Sequence, residues 1–372
     1  MVTVEKKDLV LALEYTNIVA EKRNTMPILS STLIKSGFKQ DTKGIFLSST
    51  DLENSVTKFI ACEVTNKLAI AVPTSAVLKV LKTFPNNKLI TISGSTFSCG
   101  KIKFEANALP ASEYPELHKH EKYGTPNTAD NWINSISKVE AAVSKEESRV
   151  NMHGVFFDGN KLIATDGRRL HKYQSNLDIK CDDDILVPIC GLNKMLKVLK
   201  KSKSKTVYSS IDNRFIMFYF NDVSFAIRLI DEIFCDYEKA IPTEFKSKVI
   251  VNADELKEGL TRLATLDTER YKGFKFTYGS EGVAISSDNS NKLGTFSQEI
   301  ELISSTGESG YIGLNAIYVL DYIKASNGSE LIEFHLSGET SQVLLKSNDA
   351  NFIGVVMPMR LTDIKTMKGA QA

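Results

Sequence analysis

Two hydrophobic periods take turns along this chain. In VEKKDLVLALEYTNIVAEKR, Leu9, Leu13 and Val19 fall on one stripe at the 3.6-residue period, which predicts a helix with one buried face. KLITISGSTFSCGKIKFEA and TVYSSIDNRFIMFYFNDVSFAIRLI alternate instead with a period of two, broken by Gly, Asn and Asp, which predicts meandering strands.

The sequence of elements recurs. LKVLK stands at Leu78–Lys82 and again at Leu196–Lys200, each time after an apolar run ending in Val-Pro (IAVPTSAVLKVLK, ILVPICGLNKMLKVLK). A third version reads YIGLNAIYVLDYIKA at Tyr311–Ala325. Acidic helix starts at Asp8, Asp130 and Asp254 keep the same phase, and a carboxylate there complements the helix dipole. Arg23, Arg149 and Arg270 then introduce strand patterns, followed by IFLSSTDLENSV, LIATDGRRLHKY and VAISSDNSNKLGTFS. Each unit reads as helix, strands, helix, strands, an α+β pattern repeated three times. The domains expected are 1–122, 126–244 and 247–361, with His118–Asn127 and Thr243–Ser247 as linkers and 362–372 as an extension.

Composition removes several classes. A chain of 372 residues, 42% hydrophobic and 24% charged with nine prolines, is a folded protein of two or three domains. Its longest apolar stretches, Ile216–Phe220 and Val355–Met359, fall far short of a membrane span, and Met1–Asp8 carries charge without an apolar signal region, so a cytoplasmic protein is expected. The five cysteines (Cys62, Cys99, Cys181, Cys190, Cys235) form no CxxC pair, which argues against a disulfide framework or a structural zinc.

Net charge is +1, so any nucleic-acid contact must come from charge gathered on one surface. The lysines of the predicted helices read either as such a surface or as ordinary solvated faces. Lys6, Lys7 and Arg23 flank the first; Lys79 and Lys82, then Lys194, Lys197, Lys200 and Lys201, lie on the second helices of the first two units; Arg149 follows the central unit's first helix. The third unit adds Lys257, Arg262 and Lys324, with Asp321 set against Lys324. Lysines neutralise phosphate without reading bases, and no recognition helix or zinc finger accompanies them, so DNA contact would be sequence-neutral.

Catalytic constellations are missing. No GxxxxGK[ST], GxGxxG or GxSxG motif occurs. Asp182–Asp184 reads as a solvated turn, and His118 and His120 as surface histidines without a ligand set. No metal or cofactor is expected.

ATDGRRL at Ala164–Leu170 and VVMPMRL at Val355–Leu361, on top of the triple repeat, resemble the bacterial DNA polymerase III beta subunit, the sliding-clamp family; TMPILSS, DLEN and YIGLNAIYVLDYIKA fit it too. The resemblance implies a head-to-tail homodimer whose six domains close a ring around duplex DNA, helices inside and sheets outside. It implies a cytoplasmic, nucleoid-associated processivity factor without catalysis, tethering the polymerase catalytic subunit and other replication and repair proteins, and opened by an ATP-driven loader. By position its partner-peptide cleft comprises Met152, Thr165, Gly167, Arg168, Arg169, Leu170, Cys235, Ala240, Val355, Met357, Pro358, Met359 and Arg360. Cys235 replaces a proline usual in the family, Ala240 a valine and Arg168 a frequent histidine, changes that widen the cleft. The ring-closing residues, again by position, are Phe104 and Ala106 against Thr265 and Leu266 of the other chain, and the small Ala106 and polar Thr265, where apolar residues are usual, imply a weaker dimer.

Two other classes compete: a sequence-specific DNA-binding regulator, and a metal-dependent nuclease using Asp51, Asp166 and Asp288. Those three carboxylates sit at one phase of the repeat, but carboxylates in separate domains do not converge on one metal.

Overall fold

The computed structural model describes residues 1–21, 26–118, 124–146, 148–180, 184–212, 214–266, 273–287 and 294–361. Among them are six α-helices: α1 (Lys6–Val19), α2 (Thr74–Thr83), α3 (Ala129–Val139), α4 (Ile189–Ser202), α5 (Ala253–Leu266) and α6 (Ala316–Ala325). The predicted periodicities are the observed ones, two helices per repeat and strands between. No helix among the described residues is long and apolar enough to cross a membrane.

The chain divides into two compact units, and the division passes through the central repeat. One holds Met1–Trp132, Asp178–Asp182 and Val187–Asp231; the other holds Ile133–Leu177, Asp183–Leu186 and Glu232–Ala372. In the first unit nine antiparallel strands form a sheet in the order Leu109–Pro110, Ala69–Pro73, Ser31–Lys39, Thr42–Thr50, Asn54–Ala61, Val223–Arg228, Phe215–Phe220, Thr206–Ile211, Thr125–Thr128. Asn54–Ala61 of the first repeat thus pairs with Val223–Arg228 of the central one, Asn54 opposite Ile227. A second sheet runs Glu63–Val64, Val2–Glu5, Leu89–Ser93, Thr96–Cys99, Ile102–Glu105.

In the other unit Gly154–Asp158, Lys161–Thr165, Arg169–Gln174, Phe352–Val356, Val343–Ser347, Leu331–Leu336, Ser247–Asn252 and Leu302–Gly307 follow one another in a single sheet. A four-stranded sheet runs Ser297–Ile300, Gly282–Ser287, Gly273–Gly279, Gly310–Asn315.

Helix α1 buries the predicted Leu9, Leu13 and Val19, and packs in the first repeat's core with Ile34, Ile45, Val77, Leu81 and Phe97. The Val-Pro signal marks helix entry: Pro73 and Pro188 immediately precede α2 and α4, where a missing N–H is no loss. In the third repeat Asn315 takes that place and accepts a hydrogen bond from the Ile317 amide at 2.9 Å.

Lys6 departs from the expected basic face. It is 7% exposed, and its ammonium donates to the carbonyls of Lys82 and Phe84 and to Asn86 Oδ1. A cation at the C-terminal end of α2 meets the orphan carbonyls there, so Lys6 locks α1 to α2. His118, expected as a surface histidine, bonds Asp212 at 2.8 Å and stacks on Phe215; His120 lies outside the described residues.

Candidate functional site

The segment ATDGRRL forms a tight turn between Lys161–Thr165 and Arg169–Gln174. Thr165 Oγ1 donates to the Arg169 carbonyl (2.6 Å) and accepts from the Gly167 amide (3.1 Å), while Asp166 Oδ1 accepts from the amides of Arg168 and Arg169 (2.9 and 3.0 Å). The chain turns at Gly167 with φ +81°, a conformation that suits glycine. A Cβ there would lie 2.7 Å from Arg149 Nη1.

Beyond the turn, strand pairing carries the central repeat onto the third: Leu170 stands opposite Val355 and Arg169 opposite Val356. The pairing continues past the strand ends. The Met357 amide donates to the Arg168 carbonyl (2.9 Å) and the Met359 amide to that of Gly313 (2.8 Å), so VVMPMRL is stitched to both repeats.

Behind this surface lies Arg169, 7% exposed. Its guanidinium meets Asp166 Oδ2 at 3.1 Å and Asp321 Oδ2 of α6 at 2.6 Å, and stacks 4.5 Å from the Tyr318 ring. A buried guanidinium with two carboxylates and an aromatic face is a fully matched cation. Asp321, expected to oppose Lys324, is therefore spoken for by Arg169. Beneath, His171 is enclosed: Nδ1 faces the Lys138 carbonyl at 2.9 Å, and the ring packs edge-on against Tyr322 and Phe352. Burial, outweighing that backbone hydrogen bond, pushes its pKa down from 6.5 to about 3.

The segment bearing Cys235 and Ala240 is fixed along Gly154–Asp158. Phe234 stacks on Phe156 at 4.5 Å, the Tyr237 hydroxyl donates to Asp158 Oδ2 at 2.6 Å, and Asn151 Nδ2 donates to the Ile233 carbonyl at 3.4 Å. Hydrogen bonds from Lys161 and Tyr237 hold the Asp158 carboxyl below its ordinary range. Burial raises the Cys235 thiol. Ile233, which nothing in the periodicity singles out, is 90% exposed.

All thirteen expected cleft residues therefore fall in one compact unit, eleven of them on or beside four neighbouring strands and Cys235 and Ala240 on the segment that runs along Gly154–Asp158. They differ in access. Gly167, Arg168, Met357 and Arg360 are exposed, and Met152, Cys235, Ala240, Pro358 and Met359 are half-buried. Thr165, Arg169, Leu170 and Val355 are buried. Met357, Pro358, Met359 and Arg360 lie past the strand, which ends at Val356. Arg149, expected among the DNA-facing residues, meets Glu146 (3.0 Å) and donates to the Asp166 carbonyl (2.9 Å), bracing the turn.

The same turn occurs in the other unit. Thr50 Oγ1 donates to the Asn54 carbonyl (2.8 Å), Asp51 Oδ1 accepts from Glu53 and Asn54 amides (3.1 and 2.6 Å), and Leu52 has φ +78°. Lys194 of α4 reaches Asp51 at 2.5 Å. Burial opposes the charge on Lys194, but the Asp51 hydrogen bond and charge outweigh it and raise its pKa. Lys79, Lys82, Lys197, Lys200 and Lys201 on α2 and α4 are exposed.

Comparison with known proteins decides the family. The N-terminal, central and C-terminal domains of the DNA polymerase III beta subunit match residues 1–118, 128–236 and 238–360. The chain belongs to the DNA polymerase III beta-subunit family. The beta sliding clamp of Pseudomonas aeruginosa is 26% identical, covering 96% of this chain and 99% of its own length; that of Bacillus subtilis is 28% identical over 96% and 99%. Among solved structures, the Bacillus subtilis sliding clamp superposes with a TM-score of 0.88 at 26% identity, covering 97% and 99%. The Bartonella birtlesii clamp bound to griselimycin gives 0.87 at 25%, covering 97% and 99%.

This beta subunit is a non-catalytic DNA polymerase processivity factor built from three repeated clamp domains. The regulator and nuclease readings are not favoured. Asp51 and Asp166 are turn-closing carboxylates, each committed to backbone amides and a basic side chain, and Asp288 lies outside the described residues. At the proposed ring-closing edge, Ile102–Glu105 ends its sheet, with the Phe104 ring 6.3 Å from Phe97. Ala106 turns into the first repeat's core and donates to the Ser95 carbonyl. Thr265 is exposed; Arg23 and the Leu266 side chain lie outside the described residues.

Proposed function

We propose that this beta subunit closes head-to-tail into a dimeric ring around duplex DNA, slides by sequence-neutral lysine contacts, and tethers the polymerase catalytic subunit through the Met357-containing cleft. Other replication and repair proteins share the cleft, and an ATP-driven loader opens the ring in the cytoplasm, at the nucleoid. The repeats take boundaries 1–122, 126–244 and 247–361, with 362–372 beyond them. Among the described residues Ile102–Glu105 and Ser297–Ile300 each end a sheet, which supports subunit pairing, since such edges are normally covered or blunted. DNA contact is assigned to Arg23, Lys79, Lys82, Arg149, Lys194, Lys197, Lys200 and Lys201.

The observation that carries the docking role is the backbone stitching of Met357 and Met359 to Arg168 and Gly313, which presents a polarisable, half-open thioether surface beside Gly167. The test is binding of a fluorescent peptide copied from the polymerase catalytic subunit's C-terminus. Removing residues 357–372 abolishes that binding while the dimer, read by light scattering across a dilution series, persists. Unchanged affinity after the truncation rules the cleft assignment out.

A further inference from the structure

Two of the lysines assigned to DNA are already held by a carboxylate of the protein itself. Glu14, on α1, meets Lys82 Nζ of α2 at 2.6 Å and Lys201 Nζ of α4 at 3.0 Å. One acid thus ties the second helices of the first and central repeats to the first helix of the chain. The lysine side chains are half-exposed (51% and 47%), whereas Glu14 is more enclosed at 22%. The pair is also reachable: Glu14 and Lys82 border an open depression of about 520 Å³ flanked by Lys7, Val10, Leu11 and Asn86. The hydrogen bond from Lys82, and with it Lys201 against the opposing effect of burial, holds the Glu14 carboxyl below its ordinary range.

We infer that Glu14 is an internal competitor for DNA phosphate, occupying Lys82 and Lys201 in the free protein so that the duplex must displace it. An exposed ion pair is weak and exchanges readily, so a phosphodiester can take its place without the lysines having to be ordered anew. Each displacement returns part of the contact energy, which keeps the DNA contact shallow. For a ring held by topology, a shallow contact is what permits sliding. The inference rests on the reading of α2 and α4 as DNA-facing, and the experiment separates the two.

Affinity for a short labelled duplex is measured by fluorescence anisotropy across a salt series, in a double-mutant cycle of Glu14→Gln with Lys82→Ala/Lys201→Ala. Circular dichroism confirms folding of each variant. Glu14→Gln alone is expected to tighten binding by about 3- to 10-fold at low salt and to steepen the salt dependence by about one to two counterions. In the double-lysine variant, which itself binds more weakly, the same Glu14→Gln change leaves affinity unchanged. Tightening of equal size in both backgrounds means that Glu14 acts only as a distant negative charge, and overturns the inference. No tightening by Glu14→Gln while the lysine variant weakens overturns it too, but leaves the DNA-facing reading intact. If the lysine variant binds as the native protein does, the DNA-facing reading itself fails, and the inference with it.

Discussion

The two strand junctions, first repeat to central and central repeat to third, share a backbone and differ in side chains. TDLEN and TDGRR close the same threonine and aspartate turn, followed by a strand that pairs across the repeat boundary. Even the bond just past the pairing matches: Arg228 N–H to the Glu53 carbonyl (2.8 Å), Met357 N–H to that of Arg168 (2.9 Å). The helix behind each junction contributes a charge from its sixth position, Lys194 in α4 and Asp321 in α6, with opposite sign. At the first junction the turn supplies the acid and the helix the base; at the second the turn supplies Arg169 and the helix the acid. At the first junction the surface is closed by an exposed Glu53–Arg228 pair (3.4 Å), where the second presents Met357, 42% exposed. A common scaffold therefore positions either junction, and under the proposed function the side-chain inventory decides which one docks a partner.

The charge inversion is the place to break the comparison hardest. Asp321→Ala leaves a buried guanidinium with half its anionic partners, and is expected to cost about 3 kcal/mol in chemical denaturation. Lys194→Ala leaves Asp51 still bound by two backbone amides and Asn54 Nδ2, and is expected to cost about 1 kcal/mol. Equal losses at the two junctions would show that the sign of the buried charge does not matter. Asp321 lies apart from the lysines assigned to DNA, so Asp321→Ala is expected to leave duplex binding unchanged, whereas Lys194→Ala removes one of those lysines and is expected to weaken it.

These partnerships mark where sequence reading stops. The repeat, the helix starts and the strand alternation were legible because they are set by neighbours a few positions away: the α1 stripe and the Val-Pro entries follow from local periodicity and backbone sterics. The common phase of Asp51 and Asp166 was legible too, though not as a turn-closing role. Arg169 with Asp321, Lys6 with the end of α2, and Glu14 with Lys201 join residues 76 to 187 positions apart. Charge pairing has no period along the chain, so a lysine or arginine bound to a distant acid looks the same in sequence as a solvated one.

His171 sharpens the comparison through pH. Two residues after Arg169 it occupies the place that Val56 holds two residues after Asn54, and both are fully buried. With a folded pKa of about 3 against 6.5, the unfolded chain takes up a proton below pH 6.5 that the folded protein refuses. Stability is thus unaffected above pH 6.5 and falls as pH drops from there toward 3, by up to about 1.4 kcal/mol per unit. His171→Leu is expected to remove that slope, read as urea midpoints from pH 7 to 4.5, whatever packing it loses. A slope unchanged in the variant assigns the acid sensitivity to carboxylates instead.

The smallest effects concern the left-handed residue of each turn. Gly167→Ala must hold φ near +81° and bring a Cβ within 2.7 Å of Arg149 Nη1, so a loss of about 1 to 2 kcal/mol is expected, part of it recovered in an Arg149→Ala background. Leu52 already bears that conformation at φ +78° with its side chain 51% exposed. Leu52→Gly relieves backbone strain but frees the unfolded chain, and the two oppose each other, so a change within about 0.5 kcal/mol of zero is expected. If Gly167→Ala is as mild as Leu52→Gly, glycine at the second turn serves the approach of a partner backbone and not the fold. The peptide-affinity assay then carries the difference that the denaturation curve lacks.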